Sequence, residues 1–248
     1  MKNQYFADVN DYRKYGILHT LVGNSEMKAA ICWMLTNNDT RTDGKFIDYL
    51  HHPEKWRKYD PDLFDALASC MTNHGNRSVK WAEENHLIQS AIYFAELLGD
   101  EQEKRRRYFA KFHAIAANSD LVFFDPDNGI EVKSKPFGCQ GSNKYIYWRE
   151  LVNTFNSGKS ILVYQHFIRE KRELFTQQLV DRFCEHLPIL EMYTLRTANV
   201  LFLLIPQPRH QQYLAKKCTE ISTNWYSQIQ VSKHRYTQQL GDDPINEI

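Results

Sequence analysis

The sequence predicts an α/β fold: a doubly wound, mostly parallel sheet, with helices on both faces and a terminal antiparallel strand. Four consecutive apolar residues, Leu121–Phe124, stand between Asp120 and a turn rich in Pro, Asn and Gly, which is typical of a strand buried on both faces. Apolar runs of this kind alternate with amphipathic helices along the chain. Two late apolar runs, 189–195 and 199–205, are close in sequence and predict an antiparallel pair at one edge.

The first half of the chain begins with a predicted helix over 8–22, followed by a strand over 28–36 and a polar loop. Proline and acids then introduce a helix over 60–68, and we favour another helix from residue 88 to 98. We expect one domain over residues 1–248, with 45–100 as a helical insertion or elaboration.

The second half alternates more clearly. Helices are predicted over 101–117 and 148–155, and the second one stops at Asn156-Ser-Gly158. The strand Ser160–His166 follows, and then an amphipathic helix over 171–184. After the antiparallel pair come a helix over 210–222 and a polar tail.

The composition is that of an ordinary globular protein, with 248 residues, 42% hydrophobic residues and a net charge of +1. This charge gives no global basic field that would indicate nucleic acid. The five cysteines are scattered and never form a Cys-x-x-Cys pair, which argues against a disulfide framework and predicts a reducing, cytoplasmic location. No apolar run approaches the roughly 20 residues of a membrane span.

Polar residues follow the central strand and the next strand along the chain. Asp125, Asp127 and Asn128 come directly after Leu121–Phe124, and His166 ends the next strand. Ligands of open α/β sheets bind outside the carboxyl ends of the strands, so we predict a site here. The histidine and acids suit a base with its orienting acid, or a divalent-cation site that includes Glu131. A capped turn with no further role is the alternative.

The first predicted helix carries Asp8, Asp11 and Lys14 at every third residue, so the three side chains share one flank. They form either a solvated helix face or part of the site.

Four consecutive cations, Lys104 to Arg107, lie in the first half of the helix 101–117. They cannot all face the same way. A solvated face beside Glu101 and Glu103 and a phosphate-contacting patch are both open.

The motif Asp8-x-x-Asp11-x-x-Lys14 and the strand ending in Asp125-Pro126 resemble the bacterial 23S ribosomal RNA adenine N6-methyltransferase family. The strand ending at His166 and the last strand, ending at Ile205-Pro206, add to the resemblance. The resemblance implies a methyltransferase-like Rossmann fold that binds S-adenosylmethionine and modifies adenine in nucleic acid.

Carried over to this sequence, the resemblance places Asp11 and Lys14 beside the cofactor. Asp125 would orient the target amine, and Asn128 would contribute to the target pocket. A target base must be flipped out or unpaired, and Tyr145, Tyr147 and Trp148 are candidates for a stacking surface.

The sequence departs from the family pattern at two places. Asp127 and Asn128 stand where the family has a second proline and an aromatic residue, and no Gly-x-Gly loop follows the first strand. The chain also resembles bacterial proteins of unassigned activity that share the phrases Asp-Val-Asn-Asp-Tyr-Arg-Lys-Tyr-Gly and Asp-Pro-Asp-Asn-Gly.

Two other functional classes compete with this one. Asp125, Asp127 and Glu131 could hold Mg²⁺ or Mn²⁺ in a nuclease or phosphoesterase, with Lys133 steadying the developing charge. A non-catalytic binding protein on the same frame is the third possibility.

Overall fold

The computed structural model describes residues 1–24, 26–40, 44, 46–74 and 77–236. The strands are β1 (Ala29–Cys32), β2 (Ala91–Phe94), β3 (Leu121–Phe124), β4 (Gly129–Ile130), β5 (Tyr145–Ile146), β6 (Ser160–His166), β7 (Glu191–Arg196), β8 (Val200–Ile205) and β9 (Gln230–Arg235). The helices are α1 (Val9–Val22), α2 (Pro53–Trp56), α3 (Pro61–His74), α4 (Lys80–Glu84), α5 (Gln102–Ile115), α6 (Trp148–Asn156), α7 (Arg172–His186) and α8 (Gln211–Asn224).

Seven of these strands form one sheet in the order β2-β1-β3-β6-β8-β7-β9. The neighbours from β2 to β6 pair in parallel, whereas β8 is antiparallel to both β6 and β7. The predicted α/β class and the mostly parallel sheet are therefore confirmed. The predicted pair of late strands is also confirmed, as β7 and β8.

The edge of the sheet differs from the prediction. β9 pairs antiparallel with β7 and forms the edge, in a segment that we predicted to be a polar tail. Its sequence, Gln-Val-Ser-Lys-His-Arg, has a single apolar residue and no buried position. Backbone pairing holds this strand, so hydrophobic patterning gave no signal for it.

A second correction concerns residues 88–98, where we favoured a helix. Residues 91–94 form β2, paired in parallel with β1, and Ser90 just before them has a left-handed φ of 55°. A short apolar run does not distinguish a strand from a buried helix by periodicity alone. Segment 45–100 thus contributes a strand to the main sheet as well as the helices α2, α3 and α4.

The chain reverses direction across the sheet between β1 and β3. After β1 it moves outward to β2, and then returns to place β3 on the other side of β1. Such a reversal opens a crevice at the carboxyl ends of the two strands, where ligands bind in sheets of this kind. The residues that follow β1 and β3 are therefore placed together.

Alternate residues of the strands point to two separate cores. Ile31 and Phe123 belong to the core with α1, α3 and α8, whereas Cys32 and Phe124 belong to the core with α5, α6 and α7. The sheet is therefore covered on both faces, as the unbroken apolar runs predicted. No helix among the described residues is long and apolar enough to cross a membrane.

Most residues of helix α1 are buried, although its first two turns carry several charged side chains. Asp8 caps it, accepting hydrogen bonds from the backbone N–H of Asn10 (2.8 Å) and Asp11 (3.0 Å). Near its middle, Gly16 lies directly under the buried indole of Trp225, and any Cβ at this position would overlap the ring. Close contact with Trp225 therefore requires glycine here.

We expect Gly16→Ala to lower the free energy of unfolding by about 1–3 kcal/mol. Overpacking against Trp225 outweighs the roughly 1 kcal/mol that alanine gains over glycine within a helix. Urea unfolding followed by circular dichroism measures this difference. Gly99→Ala is the matched control, because its nearest neighbour would be 3.9 Å away. A Gly16→Ala variant more stable than wild type would contradict the packing described here.

Candidate functional site

A cavity of about 530 Å³ lies at the carboxyl edge of the sheet, beside the ends of β3 and β6. Its walls come from the first residues of the chain, from the start of α1, from the turn after β3 and from the end of β6. Six of the predicted site residues line it: Asp11, Lys14, Asp125, Asp127, Asn128 and His166.

The ammonium group of Lys14 joins helix α1 to the end of β3. Lys14 Nζ lies 2.7 Å from Asp125 Oδ2 and 2.6 Å from Asp11 Oδ1. The side chains of all three residues are at most 5% exposed. The interpretation of Asp11 and Lys14 as a solvated helix face is therefore wrong, because the two side chains face the central strand.

Asp11 receives further contacts that hold it against Lys14. The backbone N–H of Ala7 donates to Asp11 Oδ2 at 3.1 Å, and the hydroxyl of Tyr15 donates to the same oxygen at 3.3 Å. The i, i+3 spacing of Asp11 and Lys14 on α1 brings the two side chains to the same face.

Burial raises the pKa of Asp11 to about 7, although Lys14 beside it favours the charged form. The nearby Asp8 and Asp125 carboxylates raise it further. For Lys14, burial alone would lower the pKa, but the Asp11 and Asp125 carboxylates outweigh it and the pKa is raised. Near neutral pH, the Lys14 cation therefore faces an Asp11 carboxyl that is close to its titration point.

Asp127 is held by a different set of groups. The hydroxyl of Thr36 donates to its Oδ2 at 2.7 Å, Lys2 Nζ lies 3.6 Å from the same oxygen, and the amino group of Met1 lies 2.8 Å from Oδ1. Burial would raise the pKa of Asp127, but these cationic and hydrogen-bonding neighbours lower it. The two acids of the Asp-Pro-Asp turn are thus paired with separate cations.

The turn after β3 is fixed by the neighbouring strand β6. Gln165 accepts a hydrogen bond from Ile130 N–H (2.8 Å) and donates one to the Asn128 carbonyl (3.2 Å). Gly129 has a φ of 118°, and a Cβ there would overlap the Gln165 side chain. Glycine is therefore required at this turn, and His166 is exposed at the cavity beside it.

Two non-glycine residues near the cavity have left-handed backbones: Ala7, with a φ of 64°, and Met34, with a φ of 46°. Ala7 precedes α1, and Met34 is the second residue after β1. Such conformations cost about 1–3 kcal/mol and cluster at functional sites. Periodicity carries no signal for them, so the sequence analysis missed them.

Glu131 does not join the acids of the cavity. Its carboxylate accepts a hydrogen bond from the backbone N–H of Trp148 (3.2 Å), and it lines a different cavity. Within the ranges that the structure describes, no group of three or more His, Cys, Asp or Glu side chains is arranged to hold a metal ion. The metal set predicted from Asp125, Asp127 and Glu131 is therefore not assembled.

The four cations of α5 divide into one buried residue and three exposed ones. Arg105 is fully buried and forms two hydrogen bonds with Glu150, from Nε (2.6 Å) and Nη2 (2.8 Å). The others, Lys104, Arg106 and Arg107, lie within 4 Å of Glu101 or Glu103 on the same helix. The solvated-face interpretation holds for these three.

The aromatic residues proposed as a stacking surface are mostly core residues. Tyr147 is 3% exposed and Trp148 is 5% exposed, whereas Tyr145 is partly buried. The first two have no ring face free for a base.

No family model matches the chain, and no curated protein matches it. Among solved structures, it is similar to the crystal structure of protein LPL1258 from Legionella pneumophila str. Philadelphia 1, which is assigned to the family model DUF519. The alignment covers 94% of this chain and 98% of that chain, at 10% identity and a TM-score of 0.47.

The raised pKa of Asp11 predicts a stability that falls with rising pH. The folded protein holds the Asp11 proton more tightly than the unfolded chain does. The contribution of Asp11 to the free energy of unfolding is therefore full below about pH 4 and is lost as pH rises through about 7. We expect Asp11→Asn to remove this loss, which is on the order of a few kcal/mol. Unfolding free energies measured from pH 5 to pH 8 test the difference.

Asp62→Asn, at an exposed position on α3, is the control and should keep the wild-type pH profile. An Asp11→Asn profile parallel to that of wild type across this range would show that Asp11 does not titrate there.

Proposed function

We propose that the protein is an S-adenosylmethionine-dependent enzyme of the adenine N6-methyltransferase type, acting on nucleic acid. The observation that carries the proposal is the state of Asp125. Its Oδ2 is fixed by Lys14, whereas its Oδ1 has no hydrogen-bond partner among the described residues, at the wall of the cavity. An oriented carboxylate oxygen of this kind can accept a hydrogen bond from an exocyclic amine.

The role of Lys14 in this proposal is positioning. With its ammonium group 2.7 Å from Oδ2, Lys14 holds the Asp125 carboxylate in one orientation. A base whose amine bonded to Oδ1 would be aligned by the same contact, because proper alignment of reactants is a large part of catalysis. Asn128 lies in the same turn and would contribute to the target pocket.

The cavity has a volume suited to a ligand the size of S-adenosylmethionine, since small-molecule sites span about 300–1,000 Å³. The bound cofactor would supply an electrophilic methyl group. Asp11 and Lys14 would lie on the cofactor side, as the resemblance implies.

Met34 takes over part of the role of the glycine loop that is missing after β1. Met34, the second residue after β1, already has the left-handed backbone that such loops usually assign to glycine. Its carbonyl also faces the crevice, where it lies 3.4 Å from the Met1 amino group. The chain therefore turns sharply at this position without glycine.

The sheet supports the same proposal. Methyltransferase-type Rossmann sheets share the ending with an antiparallel strand, and here β8 is antiparallel beside β6, with the parallel-pointing β7 beyond it. The metal-dependent nuclease has no comparable support, because Glu131 is turned away from Asp125 and Asp127.

We expect S-adenosylmethionine and S-adenosylhomocysteine to stabilise the protein in a thermal-shift titration. At a hundredfold excess over Kd, a ligand that binds only the folded state adds about 2.7 kcal/mol, or roughly 5–10 °C for a chain of this length. Asp125→Ala should keep most of this shift and lose methyl transfer to adenine-containing RNA or DNA, because alanine has no oxygen to accept a hydrogen bond from the target amine.

Glu131→Gln is the matched control for that experiment, and both the shift and the transfer should survive in it. If only Mg²⁺ or Mn²⁺ shifts the melting temperature, the metal-dependent nuclease replaces our proposal. If no ligand shifts it and Asp125→Asn lowers stability, the cluster belongs to a non-catalytic binding protein.

A further inference from the structure

A second cavity, of about 670 Å³, lies beside the loop that leaves the first one. Four cations line it, and we call the surface that they form with Phe137 and His186 the basic-aromatic face. The cations are Lys133, Lys135, Arg149 and Arg182. The acid in the same lining is Glu131, whose carboxylate is engaged by a backbone N–H.

The cations of this face differ from those on α5. No carboxylate lies within salt-bridge distance of these four among the described residues, whereas Lys104, Arg106 and Arg107 are each paired with an acid of their own helix. Lys135 donates a hydrogen bond to the Gln140 carbonyl (3.2 Å), which leaves its charge without a carboxylate partner. Because the whole chain carries a net charge of only +1, four cations without carboxylate partners concentrate a positive field here.

Aromatic rings hold the two arginines of the face in position. The guanidinium of Arg149 lies 4.2 Å from the ring centre of Phe137, and that of Arg182 lies 5.0 Å from the ring centre of Trp148. On the same indole, the imidazole of His186 stacks at 4.3 Å and stays exposed. A guanidinium fixed in this way loses little freedom when it binds an anion.

The buried side chain of Arg105 holds the segment 142–145, which lies between Lys135 and Arg149 in the sequence. Arg105, fully buried, donates to the Ser142 carbonyl (3.1 Å) and the Tyr145 carbonyl (2.6 Å) while it pairs with Glu150. These contacts fix the backbone of the segment that connects Lys135 to Arg149.

The basic-aromatic face lies within a few residues of the first cavity along the chain. Asn128 lines the first cavity and Glu131 lines the second, and three residues of chain span at most about 11 Å. Between them, β4 pairs with β5, and Lys144 just before β5 lines the first cavity. One strand of stacked nucleic acid covers that distance in about three phosphates, at roughly 3.4 Å per phosphate.

We infer that the basic-aromatic face binds the phosphate backbone of a single-stranded nucleic acid whose target base enters the first cavity. The inference rests on the proposed function in naming nucleic acid as the partner. Cations without carboxylate partners suit backbone phosphates, aromatic rings hold two of these cations in position, and the exposed imidazole of His186 offers a face to a base. Single strands suit the face because a base that enters a cavity must first leave its stack.

The test is fluorescence anisotropy with a labelled single-stranded RNA of about 20 nucleotides and the matching DNA, over a series of KCl concentrations. We expect the wild type to bind with an affinity that falls steeply with salt. Changing all four cations to alanine should flatten the salt dependence by about three units of slope, because each phosphate neutralised on a single strand contributes roughly 0.7. Arg106→Ala/Arg107→Ala is the matched control and should leave the slope within about one unit of wild type.

A second variant separates the aromatic positioning from charge alone. Arg149→Lys keeps the cation but cannot lie flat on Phe137, so we expect it to weaken binding about threefold or more while the salt slope stays the same. Circular dichroism and melting curves confirm that each variant is folded before its affinity is compared.

Several results would overturn the inference. One is that the wild type binds no nucleic acid. Another is that the quadruple variant keeps the affinity and the salt slope of the wild type. The third is that a polyglutamate chain of similar length binds equally well, which would make this a surface for acidic proteins. S-adenosylmethionine binding is measured separately in the same proteins. If the wild type binds S-adenosylmethionine but no nucleic acid, this inference is refuted; if it binds nucleic acid but no S-adenosylmethionine, the proposed function is refuted.

Discussion

The contact between Lys14 and the carboxylates of Asp11 and Asp125 is the constraint on which the rest of the site depends. It ties the first helix to the end of the central strand, where few other groups can satisfy a buried charge. Removing one member of a buried ionic group typically costs about 3–5 kcal/mol, because the remaining charge is left unpaired. The same contact fixes one oxygen of Asp125 and leaves the other at the cavity. One interaction therefore both stabilises the fold and orients the residue that we propose to contact the target amine.

The sequence predicted the fold well where burial alone decides it. The unbroken apolar run of β3 follows from burial on two faces, and the spacing of apolar residues in α5 and α7 follows from burial of one helix face. These three elements lie close to their predicted bounds. Burial carries no signal for β9, which backbone hydrogen bonds hold at the edge. In β2, pairing with β1 overrode a pattern that also suits a helix.

Part of the site could be predicted because the carboxyl ends of neighbouring parallel strands lie close together. Asp125, Asn128 and His166 line one cavity because β3 and β6 are parallel neighbours, and the every-third spacing of Asp11 and Lys14 puts both on the face that meets them. The turn conformation of Met34 and the division of Asp125 and Asp127 between different cations depend on tertiary contacts that no local pattern encodes. Glu131 was misassigned for the same reason, since β4 carries it away from the acids.

The most direct test of the account is a double-mutant cycle between Lys14 and Asp125, read as free energies of unfolding at about pH 6, where Asp11 is mostly protonated. The variants are Lys14→Met, Asp125→Asn and the pair. We predict that Lys14→Met costs about 3–5 kcal/mol in the wild type and at least about 2 kcal/mol less in the Asp125→Asn background, because no buried carboxylate is then left unpaired. Additivity of the two substitutions within about 0.5 kcal/mol would show that the residues do not act together, and would contradict the account.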